Sequence, residues 1–153
     1  MKPGPEHRRL GVFVGRWHTT GEVAPERGQT TPGAKIDCID TYEWYPGGFF
    51  VVHDVDGKVG DEPVKSMEVL GYDGDRGRYF AMFFDSTGGF GAEELTVDGN
   101  TWTWRGSNVM GVKGHRCVSV LSEDGETLRA RHEKSDDGES WQPWMDVTLR
   151  RMR

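Results

Sequence analysis

Glycine-centred turn signals recur along the whole chain and cut it into short segments, and this punctuation restricts the fold more than any other feature. The signals are Pro46-Gly47-Gly48, Asp56-Gly57, Asp73-Gly74, Gly88-Gly89, Asp98-Gly99, Asp124-Gly125 and Asp137-Gly138. Asp-Gly supplies the positive φ that tight hairpins need. Between the signals lie runs of β-formers, which predict strands at approximately 15–23, 34–45, 48–56, 63–72, 77–85, 90–97, 100–106, 113–121, 126–135 and 141–151. Nearly every link is hairpin-like, so the connectivity is up-and-down. The one helical candidate is 6–14, where Leu10, Phe13 and Val14 share a face behind Pro5. So many antiparallel strands with one short helix hide their edges best by closing on themselves. The expected fold is all-β, a closed antiparallel up-and-down barrel of about ten strands with a short N-terminal helix. A chain of 153 residues suits a single domain over 1–153, with 24–33 as its least structured loop.

The formal charge of −6 argues against nucleic acid as a partner, because phosphate binding needs clustered Lys and Arg. The one basic cluster, Arg150-Arg151-Met152-Arg153, reads as a solvated chain end. No apolar run approaches the roughly 18 residues of a membrane helix. Residues 1–15 do not read as a secretory signal. The expectation is a cytoplasmic protein with Cys38 and Cys117 as reduced thiols, bridged only if their strands lie side by side.

Alternation assigns candidate inward faces. In the second strand Ala34, Ile36, Cys38, Asp40, Tyr42 and Trp44 form the more apolar set. The third strand is nearly balanced, so His53 could face either way. Trp102 and Trp104 share a face, and His132 falls on the inward set with Leu128 and Ala130. A barrel interior of aromatics with a few polar groups has the composition of a small-molecule site, although a small barrel can also be filled by its own side chains. The expected walls are Trp17, Tyr42, Trp44, Phe83, Trp102, Trp104 and Met145. His53, Glu68, Arg116 and His132 would orient a ligand's polar groups.

Gly15-Arg16-Trp17, placed after a short helix and opening the first strand, resembles the Gly-x-Trp signature of the calycins, the lipocalin and fatty-acid-binding-protein superfamily. There the Trp closes the barrel base under the helix. The chain resembles more closely a bacterial domain-of-unknown-function family grouped with the calycins. That likeness rests on Gly15-Arg16-Trp17, on the run from Tyr42 to Phe49 with His53, and on the run from Glu68 to Asp73. It continues through Asp85-Ser86-Thr87-Gly88 and the segment from Glu133 to Gly138 with Trp141. It implies a fold with a ligand cavity and no established reaction. A more distant similarity, to nitrobindin-like barrels, implies haem held by one histidine on a late strand. His132 is the one residue in that position, and its flanking residues do not match.

No metal or cofactor is otherwise expected. The five histidines lack metalloprotease or zinc-finger spacing. Asp85-Ser86-Thr87-Gly88 differs from the aspartic-protease turn by one residue, and Asp54-Val55-Asp56-Gly57 lacks the later ligands of a calcium loop, so both read as turns. His53, Glu68, Asp85 and His132 lie on different predicted strands and would supply a general base with a carboxylate orienter if they met inside. Trp141 and Trp144 would cover a hairpin or a barrel end, or form a homodimer contact. Three functions follow: binding of a small, mostly apolar or aromatic molecule; a cofactor-free cyclase, isomerase or hydratase; or a filled barrel with an interaction surface.

Overall fold

Alternating runs of Val, Ile, Thr and aromatics interrupted by Gly give ten strands here. The computed structural model describes residues 1–153. A helical turn α1 (Pro5–Arg9) continues as a 3-10 turn (Leu10–Val12). It leads into β1 (Gly15–Val23), β2 (Lys35–Trp44), β3 (Val51–Val59), β4 (Glu62–Asp73) and β5 (Arg78–Asp85). β6 (Phe90–Asp98), β7 (Thr101–Val109), β8 (Val112–Leu121), β9 (Thr127–Ser135) and β10 (Gln142–Arg151) follow. Each strand pairs antiparallel with the next, and β10 returns to β1 with Trp17 opposite Arg151, so the barrel is closed and has no edge. No helix is long and apolar enough to cross a membrane.

The end of the barrel beneath α1 is plugged. Leu10, Phe13 and Trp17 are fully buried, and burial of Leu10 or Phe13 stabilises by about 1.5–3 kcal/mol each. The Trp17 indole N–H donates to the Phe13 carbonyl at 2.8 Å. The Arg151 guanidinium lies 4.1 Å over the Trp17 ring and donates to the carbonyls of Val12, Val14 and Gly125. Phe13 in turn packs against Tyr42, Trp102 and Trp104. β1, β3, β5, β7 and β9 all run away from this plug. Their C-terminal ends and the connections that follow therefore form the opposite rim.

Three expectations are corrected. Asp56-Gly57 is not a hairpin turn: β3 continues to Val59 and the chain reverses at Gly60-Asp61. Gly57 is instead a close-approach glycine, because a Cβ there would fall 2.5 Å from Cys38 Cα on β2. β7 extends to Val109 rather than stopping near 106, and it turns through Met110 and Gly111, both at positive φ. The helical segment tightens into a 3-10 turn after Arg9 and ends at Val12.

Cys38 on β2 and Cys117 on β8 are not on neighbouring strands, and both are buried free thiols. The outer face of β4–β6 carries an exposed apolar stripe in which Met67 lies opposite Phe84 and Phe84 opposite Phe90. Trp141 packs on the outer face over Gly114, with the Arg116 guanidinium 4.3 Å from its ring.

Candidate functional site

Above the aromatic plug the barrel encloses a cavity of about 370 Å³, within the size range of small-molecule sites. Strand register builds two opposed rows of its wall. Tyr42, His53, Glu68 and Phe83 sit side by side across β2–β5. Trp104, Cys117, His132 and Met145 do the same across β7–β10. All eight line the cavity, together with apolar residues such as Ile36, Val55, Val64 and Val147. The hairpins after β3, β5 and β7 form the open rim, where Pro63, Thr87 and Met110 stand.

The first polar group centres on His53. Its Nε2 lies 2.7 Å from Asp40 and its Nδ1 3.4 Å from Glu68. Thr19 donates its hydroxyl to the other Asp40 oxygen at 2.6 Å. Burial alone would lower the His53 pKa, but hydrogen bonds and charge from Asp40 and Glu68 outweigh it and raise the value to about 9. His53 is therefore an imidazolium at neutral pH. Tyr42 stacks on it with ring centroids 3.9 Å apart. The Tyr42 side chain is buried, and burial followed by the charges of Asp40 and Glu68 holds its phenol far above the usual range. Its hydroxyl meets no protein hydrogen-bond partner and faces the cavity.

The second group is a chain of contacts. Glu93 and His115 are each paired through the backbone with Gly106, one on either side. A Cβ on Gly106 would lie 2.6 Å from Glu93 Cγ, so this glycine lets the two side chains meet above it. His115 Nδ1 lies 2.7 Å from Glu93, its Nε2 lies 2.9 Å from His132 Nδ1, and His132 Nε2 lies 3.6 Å from Cys117 Sγ. Burial, and then the neighbouring His115, lowers the His132 pKa to about 3, so His132 is neutral. Burial raises Glu93 against the opposing pull of His115, and it pushes the Cys117 thiol up to about 12. In the tautomer in which His115 donates to Glu93, its Nε2 accepts from His132 Nδ1. The lone pair of His132 Nε2 then points toward Cys117 and the cavity.

Of the residues expected to form the site, Tyr42, His53, Glu68, Phe83, Trp104, His132 and Met145 line the cavity. Trp17 and Trp102 face inward but lie at plug level and are consumed by packing. Trp44 follows the inward alternation of β2, yet it sits at the strand end against Gly11, outside the barrel and 38% exposed. Arg116 points outward and is clamped by Glu133 through two hydrogen bonds. Asp85 is at the rim and accepts from Thr87 and Gly89 of its own turn, so it orients no histidine. Asp40, Glu93, His115 and Cys117 complete the site and were missed as site residues. Their signal was alternation: His115, Cys117, Ser119 and Leu121 share one face of β8.

The arrangement does not fit haem bound through His132. Axial ligation needs an imidazole nitrogen with open space for the iron and for the whole macrocycle around it. Here one ring nitrogen contacts His115 and the other faces Cys117, and Glu68, Glu93 and Asp40 crowd the same cavity with carboxyl groups. No group of three or more His, Cys, Asp or Glu side chains is arranged to hold a metal ion.

A family model described as "Protein of unknown function (DUF1579)" matches residues 2–151. No curated protein matches the chain. Among solved structures the chain is similar to Rv2717c from M. tuberculosis, with 14% identity, a TM-score of 0.72, and coverage of 98% of this chain and 99% of that one. At that identity the likeness shows the barrel fold alone. A de novo designed fluorescence-activating β-barrel aligns at 12% identity over 93% of this chain and 95% of the design, with a TM-score of 0.49.

Proposed function

Because the chain belongs to DUF1579, a family described as being of unknown function, we propose its role from the site itself: the barrel binds a small, mostly apolar or aromatic molecule in its interior. The observation that carries this reading is the cavity of about 370 Å³ between the two wall rows. A filled barrel would need no such space. The aromatic walls offer transfer energy to an apolar ligand, and a few polar groups converge to fix its orientation. The plug made by Trp17 and Arg151 beneath α1 supports grouping the family with the calycins, and the two buried free thiols support a reducing, cytoplasmic setting.

Native mass spectrometry of gently purified protein, with thermal shift against naphthyl and phenyl compounds, tests the reading. A retained small molecule, or stabilisation by an apolar compound, is expected. No adduct and no stabilisation by any of them overturns it.

The Glu93–His115–His132 chain supports a second reading, a cofactor-free proton-transfer enzyme. His132 alone, with its pKa lowered to about 3, is a weak base; a proton taken at its Nε2 would be relayed through His115 to Glu93, whose carboxyl pKa is raised by burial. This replaces Glu68 and Asp85 as orienters of His132. Deuterium incorporation from D2O into 1-phenyl-2-propanone, followed by NMR, should be faster with wild type than with His132→Gln. Equal rates contradict it.

A further inference from the structure

The cavity's polar groups are unbalanced in charge, and this selects among the ligands the preceding reading admits. Its interior carries three carboxyl groups, on Asp40, Glu68 and Glu93. The imidazoles that face them are already engaged, His53 by Asp40 and Glu68 and His115 by Glu93. No arginine lines the cavity. The one lysine, Lys65, is at the rim with its ammonium drawn to Asp54 and Asp56. An anionic ligand would enter a low-dielectric space already holding negative charge and meet no free cation, which is costly.

A cation meets the reverse situation. Asp40 uses both oxygens on Thr19 and His53, whereas Glu68 makes a single contact, at 3.4 Å. Glu68 shares a wall row with Tyr42, with His53 between them, and Glu93 lines the same cavity. Tyr42 lines the same space, and its hydroxyl, which no protein group hydrogen-bonds, stays accessible to it. An ammonium offers three donors and no acceptor, which matches two carboxyls and a phenol oxygen. The aromatic rings of Phe83 and Trp104 in the wall also attract a cation.

From this geometry we infer that the natural ligand is a compact aromatic or aliphatic amine, bound as its ammonium with the nitrogen at Glu68, Glu93 and Tyr42 and the apolar body against Phe83, Trp104 and Met145. The inference rests on the ligand-binding reading above and adds the charge class.

A matched probe series separates the two. Calorimetric titration at pH 7.5 compares 2-(2-naphthyl)ethylamine, 2-(2-naphthyl)ethanol and 2-naphthylacetic acid, with the full chain in wild-type form and as Glu68→Gln and Glu68→Asp. The amine should bind at least about tenfold tighter than the alcohol, with the acid weakest. Glu68→Gln should bring the ratio of amine to alcohol affinity close to one, and Glu68→Asp should keep part of the preference. Alcohol binding without an amine preference, or a preference that survives Glu68→Gln, overturns the charge inference and leaves the cavity reading standing. Binding by none of the three removes both. The wild-type comparison decides the question even if a variant folds poorly.

Discussion

His53 makes the stability of this barrel depend on alkaline pH in a way that can be calculated and isolated. Its pKa is raised from 6.5 to about 9 because Asp40 and Glu68 hold the imidazolium against the penalty of burial. At about 1.4 kcal/mol for each tenfold change in proton affinity, that corresponds to about 3 kcal/mol of stability. A group whose folded pKa lies above its unfolded value contributes fully below the unfolded value and loses its contribution as pH rises through the folded one. Most of the 3 kcal/mol should therefore disappear between pH 6.5 and 9. Urea unfolding of wild type and His53→Gln at pH 6.5, 7.5, 8.5 and 9 measures it. The loss in wild type should exceed the loss in the variant by about 2–3 kcal/mol, and the subtraction removes the buried thiols common to both. Parallel losses in the two proteins would refute an imidazolium held between two carboxylates.

Other residues give sharper single outcomes. His132, with its pKa lowered to about 3, should keep neutral-imidazole NMR shifts at pH 5, and its contribution to stability should fall as pH drops from 6.5 toward 3; an imidazolium spectrum at pH 5 contradicts a His132 held neutral by burial. Arg151→Met removes three hydrogen bonds to carbonyls and the stacking on Trp17, so it should cost about 2–4 kcal/mol, a fall in Tm of roughly 6–12 °C. Ser119→Phe, at a buried small residue on the cavity wall, should retain the barrel's circular dichroism at a cost of about 1–3 kcal/mol and abolish the thermal shift given by naphthyl compounds; an undiminished shift would place the ligand elsewhere.

The architecture was legible because its determinants are local. Asp98-Gly99, Asp124-Gly125 and Asp137-Gly138 mark real reversals, and the alternation Ile36, Cys38, Asp40, Tyr42 reports the inner face of β2 directly. Alternation says which face a side chain takes but not its height along the barrel. That is why Trp17 and Trp102 could be assigned inward and still be lost to the plug, and why Trp44 runs off the strand end. Gly57 shows the limit of turn chemistry: an Asp-Gly pair inside a strand looks the same in sequence as one at a hairpin, and only the backbone of Cys38 on the adjacent strand explains it. The Glu93–His115 contact was hidden for a related reason. It depends on Gly106, which neither residue neighbours in sequence, and on the closed ring that brings β6 and β8 to either side of β7.

A ligand seated between the wall rows would be reported independently by the methionines. Met110 and Met145 line the cavity, whereas Met67 and Met82 are exposed on the outer face. Carbon-13 methyl NMR of methionine-labelled protein, titrated with 2-(2-naphthyl)ethanol, should shift the Met145 methyl strongly and that of Met110 at the rim more weakly, while Met67 and Met82 stay in place. Shifts confined to Met67 and Met82 would put the apolar compound on the outer stripe and contradict a binding barrel.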